Sequence, residues 1–220
     1  MKILAIDFDS LFRRNWEAES GQDSGNAFRR TVEEIQRRRD GWDRVVLAAD
    51  SGTSFRKAKA TDYKEGRTNP GAAYFDQRKR TLARLAADAC IVIPGPEVDG
   101  GHAEADDVLG WLAATYTTHT RALDADAAQE WYLRILSGDG DLEQLVADAD
   151  GIDLLKLTER EPWKAADVLG ARGVGGVVAR RLDIREGVGA AMRADQQRVA
   201  LRVVARAGRR RRHAHEAAIA

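Results

Sequence analysis

Ile3-Leu4-Ala5-Ile6-Asp7 runs four apolar residues into a carboxylate, and the same pattern returns along the chain. Asp50 follows Val45-Val46-Leu47-Ala48-Ala49, and Asp139 and Asp141 follow Leu133-Arg134-Ile135-Leu136-Ser137. After Cys90-Ile91-Val92-Ile93, a loop rich in Pro and Gly leads to Glu104-Ala105-Asp106-Asp107. Short apolar runs without alternation mark strands buried on both faces, as in parallel sheets. The stretches 2–6, 45–49, 90–93, 133–137 and 152–155 are therefore predicted strands. Between them, apolar residues recur at helical spacing: Phe28, Val32 and Ile35 in 26–39, Tyr74, Phe75, Leu82 and Leu85 in 72–87, and Val108, Leu109, Leu112 and Tyr116 in 105–116. Shorter helix starts are predicted at 142–146 and 163–169. Strands alternating with helices predict an α/β protein with a parallel sheet.

In open α/β sheets, ligands bind beyond the carboxyl ends of the strands. Asp7, Asp50, Glu104, Asp106, Asp107, Asp139 and Asp141 should thus meet at one rim. Acids gathered in this way repel one another, and the usual reason to gather them is to hold hard divalent cations such as Mg²⁺. Two-metal phosphodiester hydrolysis is the chemistry that such a set suggests. Each motif alone has a plainer reading. Acids cap helix N-termini, which accounts for one or two of Glu104, Asp106 and Asp107. Gly138, Asp139 and Gly140 would suit a simple turn. If the first strand continues, Asp7 and Asp9 point the same way, and Ser10 caps the helix that follows.

The segment 51–71 carries Lys57, Lys59, Lys64 and Arg67 among small and polar residues, and reads as a basic loop beside the acidic rim. The stretch 122–129 reads as a surface connection. The chain has no net charge, but its charge is divided. Residues 1–170 hold 23 Lys and Arg against 31 Asp and Glu, a net of −8, whereas 171–220 hold 12 Arg, no Lys and 4 acids, a net of +8. A basic tail that includes Arg209-Arg210-Arg211-Arg212 suits an anionic partner such as nucleic acid, or a solvated tail. One cysteine, Cys90, excludes an internal disulfide framework and fits a reducing compartment. Four histidines without paired spacing argue against a zinc site. No apolar run approaches the roughly 20 residues of a membrane span, and no signal-peptide pattern opens the sequence, so a cytoplasmic chain is expected.

Five stretches, in order, resemble the 5′-nuclease family, which includes the 5′→3′ exonuclease domain of bacterial DNA polymerase I, phage 5′ exonucleases and flap endonucleases. They are Ala5-Ile6-Asp7; Ala49-Asp50 through Phe55-Arg56; Asp62-Tyr63-Lys64-Glu65-Gly66-Arg67; Glu104-Ala105-Asp106-Asp107-Val108-Leu109-Gly110; and Ser137-Gly138-Asp139-Gly140-Asp141-Leu142-Glu143-Gln144-Leu145-Val146. The resemblance covers about residues 1–170. It implies a Rossmann-like (PIN-like) parallel sheet flanked by helices, with a basic, arch-like loop. It also implies two divalent ions, Mg²⁺ or Mn²⁺. Asp7, Asp50 and Glu104 would serve the first, Asp139 and Asp141 the second, and Asp106 and Asp107 would lie around or between them. Tyr63, Lys64 and Arg67 match arch-base positions that steer the scissile phosphate, with Lys64, Arg67 and Asp106 as the catalytic set. Arg56 would contact phosphate, and Arg78, Lys79 and Arg80 would extend the DNA-binding surface. The expected partner is DNA at 5′ ends, flaps and junctions, bound by a monomer of bacterial or phage type.

The resemblance stops near Gly170. Family members continue with a Gly-Asp…Ser-Asp-Asn segment that feeds the second ion, and no such segment follows here. The sequence thus divides into a catalytic domain, 1–170, and an atypical, truncated or disordered Arg-rich region, 171–220. Gly173-Val174-Gly175-Gly176 through Leu182 faintly resembles a helix–hairpin–helix, with K⁺ between Gly173 and Gly176. The competing reading is an out-of-frame segment. Two other functions stay open: a nucleic-acid-binding relic without catalysis, and a HAD-like phosphatase using Asp7 of Asp7-Phe8-Asp9 as nucleophile.

Overall fold

The computed structural model describes residues 1–19, 25–60, 63–66, 68–98 and 100–172. The expectations for Arg67, for K⁺ at Gly173 to Gly176 and for nearly all of 171–220 lie outside these residues. Five parallel strands form the central sheet in the order β3-β2-β1-β6-β7. They are β1 (Lys2–Asp7), β2 (Arg44–Ala49), β3 (Ile91–Pro94), β6 (Tyr132–Ser137) and β7 (Ile152–Lys156). The intervening β4 (Glu97–Val98) and β5 (Gly101–His102) form a separate antiparallel pair. All five strands expected from the apolar runs are present, within a residue or two at each end.

Helices cover both faces of the sheet. One face packs Ile3, Ala5, Val46, Ala48, Leu133, Ile135 and Leu154 against Val108, Leu109, Leu112 and Tyr116 of α5 (Ala105–Arg121), with Val168 of α7 (Ala165–Arg172) beside them. The other packs Leu4, Ile6, Val45, Leu47, Leu136 and Leu155 against α1 (Phe8–Ala18), α2 (Asn26–Arg38) and α4 (Ala72–Ala87), through Leu11, Phe12, Ile35 and Leu85. Alternate residues of β1 thus enter two different cores, which is why the strand is apolar throughout. Among the described residues, no helix is long and apolar enough to cross a membrane.

Three details depart from the sequence reading. The chain turns helical at Phe8, so Asp9 is not a continuation of β1; Asp7 itself caps α1, accepting the Ser10 N–H at 3.0 Å. Part of the basic loop is helical, as α3 (Phe55–Lys59) with Ser54 as its cap. The connection at 122–129 contains α6 (Ala125–Gln129), capped by Asp124, and the expected helix start near Leu142 is a 3₁₀ helix, Gly140–Leu145. These elements are too short for an apolar period to show.

The sheet order reverses between β1 and β6. After β1 the chain moves outward through β2 and β3, then returns through α5 to lay β6 on the other side of β1. Such a switch point opens a crevice at the carboxyl ends of the two diverging strands. Here those ends carry Asp7 and Ser137-Gly138-Asp139.

The loop from β3 to α5 sets the position of Glu104. Gly95 donates to the Ala49 carbonyl at 2.8 Å, and Ala103 donates to the Pro96 carbonyl at 2.8 Å. A Cβ on Gly95 would stand 1.9 Å from the Ala103 carbonyl oxygen. Backbone on both sides leaves nothing flexible to give way. Gly95→Ala should therefore destabilise the fold by about 1–3 kcal/mol, as overpacking of a closed site does. Urea unfolding is the measurement, and an unchanged midpoint would contradict this account of the crossing.

Candidate metal centre

Asp7 ends β1 in the interior, 6% exposed. Its carboxylate accepts from the Ser10 N–H at 3.0 Å and from the Ser137 hydroxyl at 2.6 Å. The Ser137 oxygen accepts in turn from the Asp139 N–H at 3.0 Å, and Asp139 accepts the Asp141 N–H at 2.9 Å. Hydrogen bonds thus run from Asp7 across the switch point to the Asp139 turn. Asp139 and Asp141 are both solvent-exposed at the end of β6.

On the other side of Asp7, Asp50 leaves β2. Its side chain accepts the Ala105 N–H at 2.8 Å, at the start of α5. Free N–H groups and the helix dipole favour an anion there. Glu104 caps the same helix. The Glu104 N–H donates to the Asp107 carboxylate at 2.9 Å, and the Asp107 N–H donates to Asp106 at 2.8 Å. The capping explanation weighed from sequence is thus real for Asp107, which is buried, while Asp106 turns to the rim with about a third of its side chain exposed.

The basic segment folds over these acids. Arg56 donates to Glu104 at 2.5 Å and to Asp107, and lies 3.6 Å from Asp106. Tyr63 donates its hydroxyl to Glu104 at 2.6 Å, and the Lys64 ammonium binds the other Glu104 oxygen. Lys64 holds a left-handed backbone, φ 57°, which a lysine adopts at a cost. Arg78 also faces inward, onto Asp9 at 2.5 and 2.8 Å. The charge of Asp9 draws Arg78 into the rim, where it is half-buried. Lys79 and Arg80 do lie on the outside of α4, with Arg80 paired to Asp76 at 3.0 Å. Asp9 and Ser137 are the rim residues whose importance the sequence reading understated. The spacing of Asp7 and Asp9 is visible in the sequence, but the strand ends at Asp7, two residues short of Asp9.

Crowding shows in the acid strengths. The Asp7 carboxyl is pushed up to about 7, first by burial and further by Asp9 and Asp50, against the lowering effect of Ser137 and Ser10. Asp106 is pushed up to about 6 by burial and by Asp107 and Glu104, with Arg56 opposing. Asp50 is also raised, by desolvation and then by Asp9 and Glu104. Glu104 goes the other way. Burial would raise it, but Lys64, Tyr63 and Arg56 outweigh that effect.

Among the described residues, no three His, Cys, Asp or Glu side chains are so arranged that they could hold an ion as they stand. Arg56, Tyr63 and Lys64 cover Glu104, and Arg56 covers Asp107. The chemistry of the donors still fits a hard divalent ion, since the set is all carboxylate oxygen and carries more anions than its neighbours neutralise without pKa shifts. An ion reaching Glu104 would take over positions now held by protein cations.

A carboxyl raised above its ordinary 3.8 favours the protonated folded state. The stabilising contribution of Asp7 is therefore present at about pH 4 and lost as pH rises through about 7. In metal-free buffer, Asp7→Asn should gain stability relative to the parent over that window, by up to about 4 kcal/mol. Denaturant unfolding with chelator present at several pH values tests this, and a difference that does not change with pH would refute it.

A sequence model of the 5′-3′ exonuclease N-terminal, resolvase-like domain matches residues 2–173. No curated protein sequence matches the chain. Among solved structures, a phage T5 protein co-crystallised with metal ions superposes with a TM-score of 0.59 at 19% identity, covering 80% of this chain and 63% of that one. The zinc-bound T5 5′-exonuclease gives 0.54 at 18%, covering 80% and 63%. A bacteriophage T5 flap endonuclease, in a pseudo-enzyme–product complex with DNA and metal ions, gives 0.55 at 18%, covering 80% and 62%. At such identities the likeness is one of fold, and the chain spans less than two-thirds of the length of each. The sequence match takes in every strand of the sheet and each acid of the rim, and the chain accordingly belongs to the family of 5′-3′ exonuclease N-terminal, resolvase-like domains.

Proposed function

We propose that the chain is a metal-dependent 5′ nuclease that hydrolyses DNA phosphodiester bonds at 5′ ends and flaps. The observation that carries this reading is the meeting of Asp7, Asp50, Glu104 and Asp106 with Arg56, Tyr63 and Lys64 on one rim. The structures of similar fold solved with metal ions, one of them also with DNA, support it. Asp7, Asp50 and Glu104 are the ligands of a first Mg²⁺ or Mn²⁺, and Asp139 and Asp141 those of a second. Asp106 would stand around or between them, and Asp107 would serve through its bonds to Arg56 and the Glu104 N–H. Bound ions would acidify water for attack and neutralise charge on the leaving oxygen.

The remaining work falls to the chain itself. Arg56 and Lys64 are cations already at the rim, and a phosphate entering it would draw them as Glu104 does now. Tyr63 offers a ring on which a base can stack. Arg67, in the same segment, is assigned to the phosphate by its position in sequence alone. Residues 1–170 form the catalytic unit in this reading, and 171–220 add arginine charge. A HAD-like route through Asp7 is not supported. Asp7 is buried with both oxygens hydrogen-bonded, to the Ser10 N–H and the Ser137 hydroxyl, which leaves neither aimed at an incoming phosphorus.

Cleavage of a 5′-flap duplex in Mg²⁺ or Mn²⁺ is the test. Asp106→Asn and Asp139→Asn should each reduce cleavage at least about 100-fold while leaving DNA affinity nearly unchanged, since misplaced reacting groups cost at least that much. Lys64→Ala should slow cleavage less. Flap binding by the parent without metal-dependent cleavage would establish the binding relic instead.

A further inference from the structure

Asp9 and Arg78 form a clamp on the backbone of Asp50. The Asp50 N–H donates to Asp9 Oδ2 at 2.6 Å, and the Asp50 carbonyl accepts from Arg78 Nη2 at 2.7 Å. Arg78 closes the ring by donating to both oxygens of Asp9, through Nε at 2.5 Å and Nη2 at 2.8 Å. Such forked contacts fix direction as well as distance. Both partners are largely shielded from water, with side chains 17% exposed, and Arg78 also lies over the Phe8 ring at 5.7 Å. A solvent-exposed ion pair contributes little, but an enclosed one bonded at every contact resists opening.

The position of the clamp gives it a consequence. Asp9 is on α1, Arg78 on α4, and Asp50 at the end of β2. The basic segment 51–71 leaves from Asp50 and re-enters the fold at α4. Arg78 therefore ties the two feet of that segment together. Asp50 is held at three points, its N–H by Asp9, its carbonyl by Arg78 and its side chain by the Ala105 N–H at 2.8 Å.

We propose that Asp9 and Arg78 are positioning residues that hold the Asp50 carboxylate in place for a divalent cation, without either touching the ion. This rests on the nuclease reading, in which Asp50 is a metal ligand. Coulomb attraction alone predicts the opposite effect for Arg78. Removing a cation beside an acidic rim should tighten metal binding, whereas loosening a ligand should weaken it. The sign of the change therefore separates the two.

The experiment is Mn²⁺ binding to the full chain, followed by the loss of the free-ion electron paramagnetic resonance signal, with thermal unfolding recorded alongside. Arg78→Gln should weaken Mn²⁺ affinity about 10-fold or more, the scale on which partners behind a metal ligand act. Arg78→Lys keeps the charge without the fork and should also bind more weakly than the parent. In the double variant with Asp9→Asn, the losses should fail to add, because both residues act through one contact set. Should Arg78→Gln not fold, Arg78→Lys and Asp9→Asn decide alone, and parent-like affinity in both overturns the clamp. Affinity unchanged or tighter in a folded Arg78→Gln variant overturns it as well. Additive losses would show Asp9 acting on the ion directly, which also overturns the positioning role. A parent chain that binds no Mn²⁺ would instead bring down the nuclease reading, so the two failures are distinct.

Discussion

A carboxylate can be buried at the end of a parallel strand only if something offsets its charge, and the rim of this protein is organised around that constraint. Among the described residues, no cation is bonded to Asp7. It has two hydroxyl or amide donors and a carboxyl pushed up to about 7. Its neighbours are each given a partner: Asp9 has Arg78, Glu104 has Lys64, Tyr63 and Arg56, and Asp107 has Arg56. The basic segment that follows β2 supplies most of these partners, so charge balance and the placing of segment 51–71 are one problem with one solution.

The same balance governs what a divalent ion would meet at the rim. Side-chain cations and a divalent ion compete for the same oxygens. Arg56 sits where it satisfies Glu104 and Asp107 together, a geometry that a planar guanidinium meets well and an ammonium does not. Lys64 reaches Glu104 from a strained backbone, φ 57°. Strain of that kind persists where surrounding structure over-determines it, and Ala89, ahead of β3, has it as well, φ 67°. The rest of the sheet is conventional by comparison, with two apolar cores and helices on both faces.

Far from the rim, polar burial follows another logic. Asp153 of β7 is fully buried, yet it is enclosed by Arg134 at 2.8 and 2.9 Å and by the Tyr132 hydroxyl. Arg134 lies over the rings of Trp42 and Tyr132, which stack on each other with centroids 5.8 Å apart. This group joins β6 to β7 and to the start of β2 and leaves no carboxylate oxygen turned toward a ligand. Two buried acids in one sheet thus differ in use because one is matched by a bidentate cation and the other is not.

The apolar runs ending in Asp7, Ala49, Ile93, Ser137 and Leu155 made the five strands legible in the sequence, because a strand buried on both faces admits nothing polar until it ends. Asp7, Asp50 and Asp139 were legible for the same reason, each standing within two residues of a strand's carboxyl end. The helices at 72–87 and 105–121 showed through their long apolar period. α3 and α6 did not show, since each spans barely a turn, and α1 showed only as a helix expected after Ser10, though it begins at Phe8. The sequence alone therefore determined the α/β class and the rim on which the acids meet. Only the tertiary structure decided which cation meets which acid. That Arg78 turns inward to Asp9 and the Asp50 backbone, while Lys79 beside it stays in solvent, depends on the packing of α4 against α1 and the end of β2. Neighbours on a helix point about 100° apart, and nothing in a linear charge pattern states which of them the fold will enclose.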